Sequence, residues 1–137
     1  MTVKSNDKKK IKVLDKKRLV DSFRYASYGI VEAYKGEQNL RIHTVVAVLV
    51  IICGFVFQIS YVEWLICFVL IGLVLMSEFF NTAIEYVVDL ASPDIHPLAK
   101  LAKDTASAGV LMMAIISAII GLIIFVPEGI EFLGGIL

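Results

Sequence analysis

The sequence predicts an all-α integral membrane protein, with three transmembrane helices preceded by an N-terminal amphipathic surface helix. Three observations predict it. The 137 residues are 58% hydrophobic and have a mean hydropathy of +0.83, too apolar for an ordinary soluble domain. Lys and Arg are confined to positions before 42 and to Lys100 and Lys103, so long stretches carry no positive charge. Three apolar runs are each long enough to cross a hydrocarbon core of about 30 Å.

Residues 1–17 form a basic tail with Lys4, Lys8, Lys9, Lys10, Lys12, Lys16 and Lys17. It is either held near anionic headgroups or simply solvated. It does not have the short apolar core and small-residue cleavage site of a signal peptide, so none is expected. In 18–35, Leu19, Phe23, Ala26, Ile30 and Tyr34 recur every three or four residues, with Arg18, Asp21, Ser22 and Glu32 mostly on other faces. Such a helix suits the membrane interface, and Gly36 is a plausible break after it.

The spans are expected at about 42–59, 62–90 and 97–126, within a single membrane domain covering 18–137. Ser60-Tyr61 is the first turn, with no basic residue nearby. The second connection, 91–96, is polar and is followed by Lys100 and Lys103. The positive-inside rule then places the N-terminus and the 91–103 region in the cytoplasm, and the 60–63 turn and the acidic C-terminus outside a cell membrane. Ala114/Ala118 and Ser117/Gly121 have the small-xxx-small spacing that permits close helix contact in lipid. Cys53 and Cys67, both within apolar runs, read as reduced core thiols.

The second span ends in Glu78-Phe79-Phe80-Asn81-Thr82-Ala83-Ile84-Glu85-Tyr86-Val87-Val88-Asp89. On a helix, Asn81, Glu85 and Asp89 fall within roughly 60° of Glu78, so four polar side chains share one face. Carboxylates in a membrane helix are expensive and usually mark function. Counting outward from the first turn, Glu37 lies 23 residues before Ser60 and Glu85 lies 23 after Val62, so the two share a depth. The same count from the second turn brings Lys103 and Asp104 to that level. Glu78 lies seven residues further along its helix, roughly 10 Å deeper. Two carboxylates at one depth can hold Mg²⁺ while water or phosphate fills its other positions. Lys103 can offset phosphate charge, and Glu78 among its phenylalanine neighbours suits a general base.

Other readings fit the same residues. Glu85, Asp104, Lys103 and Arg41 could neutralise one another as structural ion pairs between helices, and a lone intramembrane Glu also suits a proton- or cation-coupled transporter. No basic residue is expected at the depth of Glu78. Asp89 reads as a solvated helix end, and His43, at a span entrance, as structural. Neither a P-loop nor a G-x-G-x-x-G loop is present, zinc spacing and a Ser-His-Asp set are missing, and the apolar body argues against nucleic-acid binding.

The Glu78–Asp89 block, together with Ala102-Lys103-Asp104-x-x-Ser107-Ala108, resembles the prokaryotic diacylglycerol kinase family of small three-span membrane kinases. The tyrosine- and glycine-bearing helix and Glu37 fit as well, and the likeness covers about 18–126. It implies phosphoryl transfer from MgATP to a membrane lipid alcohol by a homotrimer whose neighbouring subunits share active sites. By position, it makes Glu78 the base, with Asn81 supporting the catalytic centre. It makes Glu37 and Glu85 the Mg²⁺ ligands, and Arg18, Tyr25, Asp94, Ile95, His96, Lys103 and Asp104 nucleotide contacts. His43 falls where some members carry an acidic residue, and the likeness assigns it no role. The likeness is greater to the Gram-positive branch, whose members favour undecaprenol over diacylglycerol.

Overall fold

The computed structural model describes residues 16–134. The lysines from Lys4 to Lys12 and the last three residues lie outside them. Four helices follow in order: α1 (Lys16–Gly36), α2 (Gln38–Phe57), α3 (Tyr61–Ala91) and α4 (Pro97–Gly134). The last three are each long and apolar enough to cross a bilayer. The expected spans therefore hold, with shifted ends.

Two compact units meet within α1, one ending at Glu32 and the other beginning at Ala33. In the first, Asp21 and Arg24 pair at 3.1 Å and the Arg24 guanidinium lies 5.2 Å from the Tyr25 ring centre. Ser22 Oγ donates to the Arg18 carbonyl.

In the second unit, α3 packs against both α2 and α4, most extensively against α4. The inward positions of α3 are Trp64, Cys67, Ile71, Val74, Glu78, Asn81, Glu85 and Val88, all buried or half-buried. Their alternating spacing of three and four is a seven-residue repeat. It keeps one face on a neighbour as the helices supercoil. On α4 the matching seam runs through Lys103, Ala106, Val110, Ala114, Ser117, Gly121 and Ile124. The small-residue positions expected from the sequence thus include Ala114, Ser117 and Gly121 on the contact face. There is little hydrophobic drive between helices in lipid, so close packing of this kind must supply the association.

At the α2–α3 loop end the seam is dry. Ile59, Cys67 and Ile124 are buried, with Val50, Phe57, Trp64, Ile120 and Phe125 around them. The turn is built from side-chain chemistry. Gln58 takes the left-handed conformation (φ 54°, ψ 44°) and closes α2 through its N–H to the Gly54 carbonyl. Ser60 and Glu63 then form a capping box that starts α3, satisfying donors that lipid could not. The turn is therefore residues 58–60, slightly earlier than expected. Gly54 allows the Trp64 indole to lie against its backbone, since a Cβ there would sit 2.8 Å from the ring.

The largest difference is at the C-terminus. The apolar run suggests an end at Val126, before Pro127, but α4 continues to Gly134. Proline removes one helical N–H, yet Phe57 packs against Phe132, with ring centres 5.5 Å apart, and stands close to Gly129. Contact with α2 thus holds the turns beyond the proline.

Candidate active site

Polar residues replace the dry seam at the other end of α3. Glu78, Asn81 and Thr82 are the buried polar side chains of the described residues, and Glu78 is only 1% exposed. Thr82 Oγ1 donates to the Glu78 carbonyl (3.0 Å), and Ser77 Oγ to the Val74 carbonyl (2.7 Å). These hydroxyls are satisfied locally by their own helix, as apolar surroundings demand. The carboxylate of Glu78 is treated differently: its buried Oε1 accepts no hydrogen bond. Leaving such an atom unsatisfied costs stability, and cost of this kind at a membrane-helix carboxylate points to chemistry.

One turn along, Asn81 Nδ2 donates to Glu85 Oε1 (2.9 Å), while Asn81 Oδ1 accepts from Ser107 Oγ on α4 (3.4 Å). The amide therefore links α3 to α4 and fixes the rotamer of Glu85. Both Glu37 and Glu85 lie within electrostatic reach of Glu78. The fold thus gathers three carboxylates in one region, although the depth count sets Glu78 apart from the other two.

The α1–α2 elbow holds the remaining wall. Arg41 Nη1 donates to the Tyr34 carbonyl (3.0 Å) and the Lys35 carbonyl (3.3 Å), capping α1. The hydroxyls of Tyr34 and Thr44 share a 2.6 Å hydrogen bond, and the Tyr34 ring meets Phe79 edge-on, 6.5 Å between centres. Arg41 is thus engaged at the elbow and does not join an ion-pair cluster with Glu85. Glu37 is the N-cap of α2, but its side chain makes no capping hydrogen bond.

Sequence reading missed His43. Its Nε2 lies 3.2 Å from Glu78 Oε1, so an imidazole does sit at the depth of Glu78. The signal was available, because the count that pairs Glu37 with Glu85 also pairs His43 with Phe79, next to Glu78.

The α3–α4 loop forms an open pocket of about 210 Å³. Asp94, Ile95, His96 and Lys103 line it together with Asp89 and Lys100. Lys103 pairs with Asp89, giving Asp89 a partner beyond a solvated helix end. Asp104 pairs with Lys100 on the exposed side of α4 and is not in the pocket lining. Arg18 and Tyr25 belong to the unit that ends at Glu32. Seven residues apart, they share a face of α1.

Among the described residues, no three His, Cys, Asp or Glu side chains form a metal cage. Mg²⁺ does not need one, because it binds one or two carboxylates and keeps water or phosphate on its other positions. Glu37, uncommitted as a cap, and Glu85, held by a single amide, match that donor chemistry.

A comparison with known proteins matches residues 24–125 to the prokaryotic diacylglycerol kinase family. Undecaprenol kinase of Bacillus subtilis (strain 168) is 48% identical over 111 residues, covering 81% of this chain and 90% of that protein. Diacylglycerol kinase of Synechocystis sp. is 38% identical over 110 residues, 80% of this chain and 63% of that protein. The diacylglycerol kinase of Escherichia coli (strain K12) is 28% identical over 102 residues, 74% and 84% of the two chains.

Proposed function

Because the chain belongs to the prokaryotic diacylglycerol kinase family of lipid kinases, we propose that it transfers the γ-phosphate of MgATP to the hydroxyl of undecaprenol, giving undecaprenyl phosphate. The observation that carries this reading is the buried, unsatisfied Oε1 of Glu78 in the apolar seam. An uncommitted carboxylate oxygen is what a general base requires. The choice of undecaprenol follows the likeness to the Bacillus subtilis enzyme. Diacylglycerol is the second reading, supported by the names of the other relatives.

In this mechanism Glu78 takes the hydroxyl proton as the new O–P bond forms in line with departing ADP. Glu37 and Glu85 hold Mg²⁺, which when bound spreads the phosphate charge. Asn81 keeps Glu85 aimed. Asp94, Ile95, His96 and Lys103 receive the nucleotide at the loop pocket, with Arg18, Tyr25 and Asp104 as further contacts. About 20 residues of helix cross a hydrocarbon core. Counted from Tyr61 they end near Phe80, so Glu78 lies just inside the acyl boundary and Glu85 beyond it.

The N-terminus and the 91–103 loop face the cytoplasm, the C-terminus lies outside, and the 18–35 part of α1 rests in the interface as an amphipathic helix. Residues 18–137 act as one membrane kinase domain, assembled as a homotrimer with sites shared between subunits. Recycling of the polyprenyl carrier for cell-wall synthesis is the matching role.

The test uses purified protein in mixed micelles with Mg²⁺ and ATP labelled at the γ-phosphate, offered undecaprenol or diacylglycerol. Label should enter undecaprenol with the higher specificity constant. Preferential labelling of diacylglycerol would replace the substrate. Label in neither lipid, or ATP-independent solute flux in sealed vesicles, would overturn the kinase reading.

A further inference from the structure

We infer that His43 is a positioning residue for Glu78, with its Nε2 setting the direction in which the carboxylate meets the substrate hydroxyl. The inference rests on the kinase reading of Glu78 above and extends it to a residue on another helix.

Glu78 Oε1 is buried and accepts no hydrogen bond. The groups that face it are Glu37 and Glu85, both acidic, and His43, whose Nε2 is 3.2 Å away. Asn81 cannot serve, because its amide is spent on Glu85 and Ser107. Thr82 bonds the backbone carbonyl of Glu78 and not its carboxylate. Repulsion from the two acidic neighbours would otherwise turn the side chain away from them, and the imidazole is the near group able to counter this by donating.

The elbow gives His43 a fixed place from which to do so. Thr44, its chain neighbour, bonds both Tyr34 and the Leu40 carbonyl, and Leu40 is fully buried. The Tyr34 ring rests on Phe79, next to Glu78. One short path of contacts thus joins the α2 backbone at His43 to the α3 backbone at Glu78. His43 itself remains 22% exposed, and its Nε2 stands 3.2 Å from the carboxylate oxygen, within reach of a hydrogen bond. A general base must lie within hydrogen-bond reach of the proton it takes, and a misplacement of about 1 Å can cost about 100-fold in rate.

Three variants test the inference. His43→Leu removes the donor. His43→Gln places an amide N–H at the reach of Nε2, and His43→Asn only at the reach of Nδ1. Each is assayed for kcat and for KM of ATP and of lipid, beside wild type and Glu78→Gln, after circular dichroism in detergent has shown equal helix content. His43→Leu should lower kcat by about 10- to 100-fold with both KM values nearly unchanged. His43→Gln should recover most of that loss and His43→Asn little of it. Equal kcat in His43→Leu and wild type would overturn the inference, as would equal losses in Gln and Asn. Should His43→Leu not fold, the Gln and Asn pair alone decides. An inactive wild type would instead count against the kinase reading, which separates the two failures.

Discussion

The two ends of the α3 seam use the same geometry for opposite purposes. Near the α2–α3 loop, Cys67 meets Ile59 and Ile124 in a dry cluster. About three to five turns further along the same face, the inward positions are Glu78, Asn81 and Glu85. The repeat does not change; only the chemistry does. A membrane helix could fill both ends with apolar side chains at lower cost, because lipid exerts no penalty on them. The polar groups at the second end are therefore those the proposed chemistry draws on, while the first end is apolar packing.

The strongest way to break this comparison is Glu78→Gln. The amide preserves shape but cannot accept the proton, so turnover should fall by about 10²- to 10⁴-fold while MgATP binding persists. Near-wild-type turnover would make the polar end structural. Asn81→Ala comes next. A hydrogen bond to a charged group contributes about 1.5–3 kcal/mol, so freeing Glu85 should reduce kcat/KM for MgATP by about 10- to 100-fold. Unchanged MgATP kinetics would remove Asn81 from the catalytic centre.

A substitution at the dry end should have the converse effect. In Gly54→Ala the new Cβ would lie 2.8 Å from the Trp64 ring. Overpacking of this kind costs about 1–3 kcal/mol, read as earlier thermal unfolding in detergent. Turnover per folded molecule should stay as it was, and a selective loss of turnover would show that the ends are not separable. The smallest effect belongs to Ser107→Ala. Its bond to Asn81 is long at 3.4 Å, and a weak neutral hydrogen bond contributes about 0.5 kcal/mol, or about twofold in rate. A large loss would promote Ser107 from linker to participant.

How far the sequence could be read follows from how each feature is written in it. The spans were legible because bilayer thickness turns apolar length directly into structure. Counting along rigid rods led to the pairing of Glu37 with Glu85, and both stand within electrostatic reach of Glu78. Local contacts broke the reading elsewhere. Pro127 signals an ending on its own, and nothing in its neighbourhood announces that Phe132 will pack on Phe57. The count gives Asp104 a depth but not an azimuth, and its pairing with Lys100 on the exposed side of α4 had to come from the structure. His43 was passed over for a related reason. Its neighbours in sequence say little about it, and its significance comes from a carboxylate 35 positions away.

The seven-residue repeat in α3 has a consequence for how the chain tolerates changes in length. Inserting one residue between Ser60 and Glu78 would swing everything beyond it by about 100°, turning the carboxylate toward acyl chains. Seven added residues would bring it back to within about 20° of its facing but carry it about 10 Å past its partners on the elbow. Angle and depth are satisfied together by one length alone, so the distance from the capped turn to Glu78 acts as a ruler. Variation should accumulate beyond its ends, in the lysine tail and after Pro127, while the interval itself resists insertion and deletion.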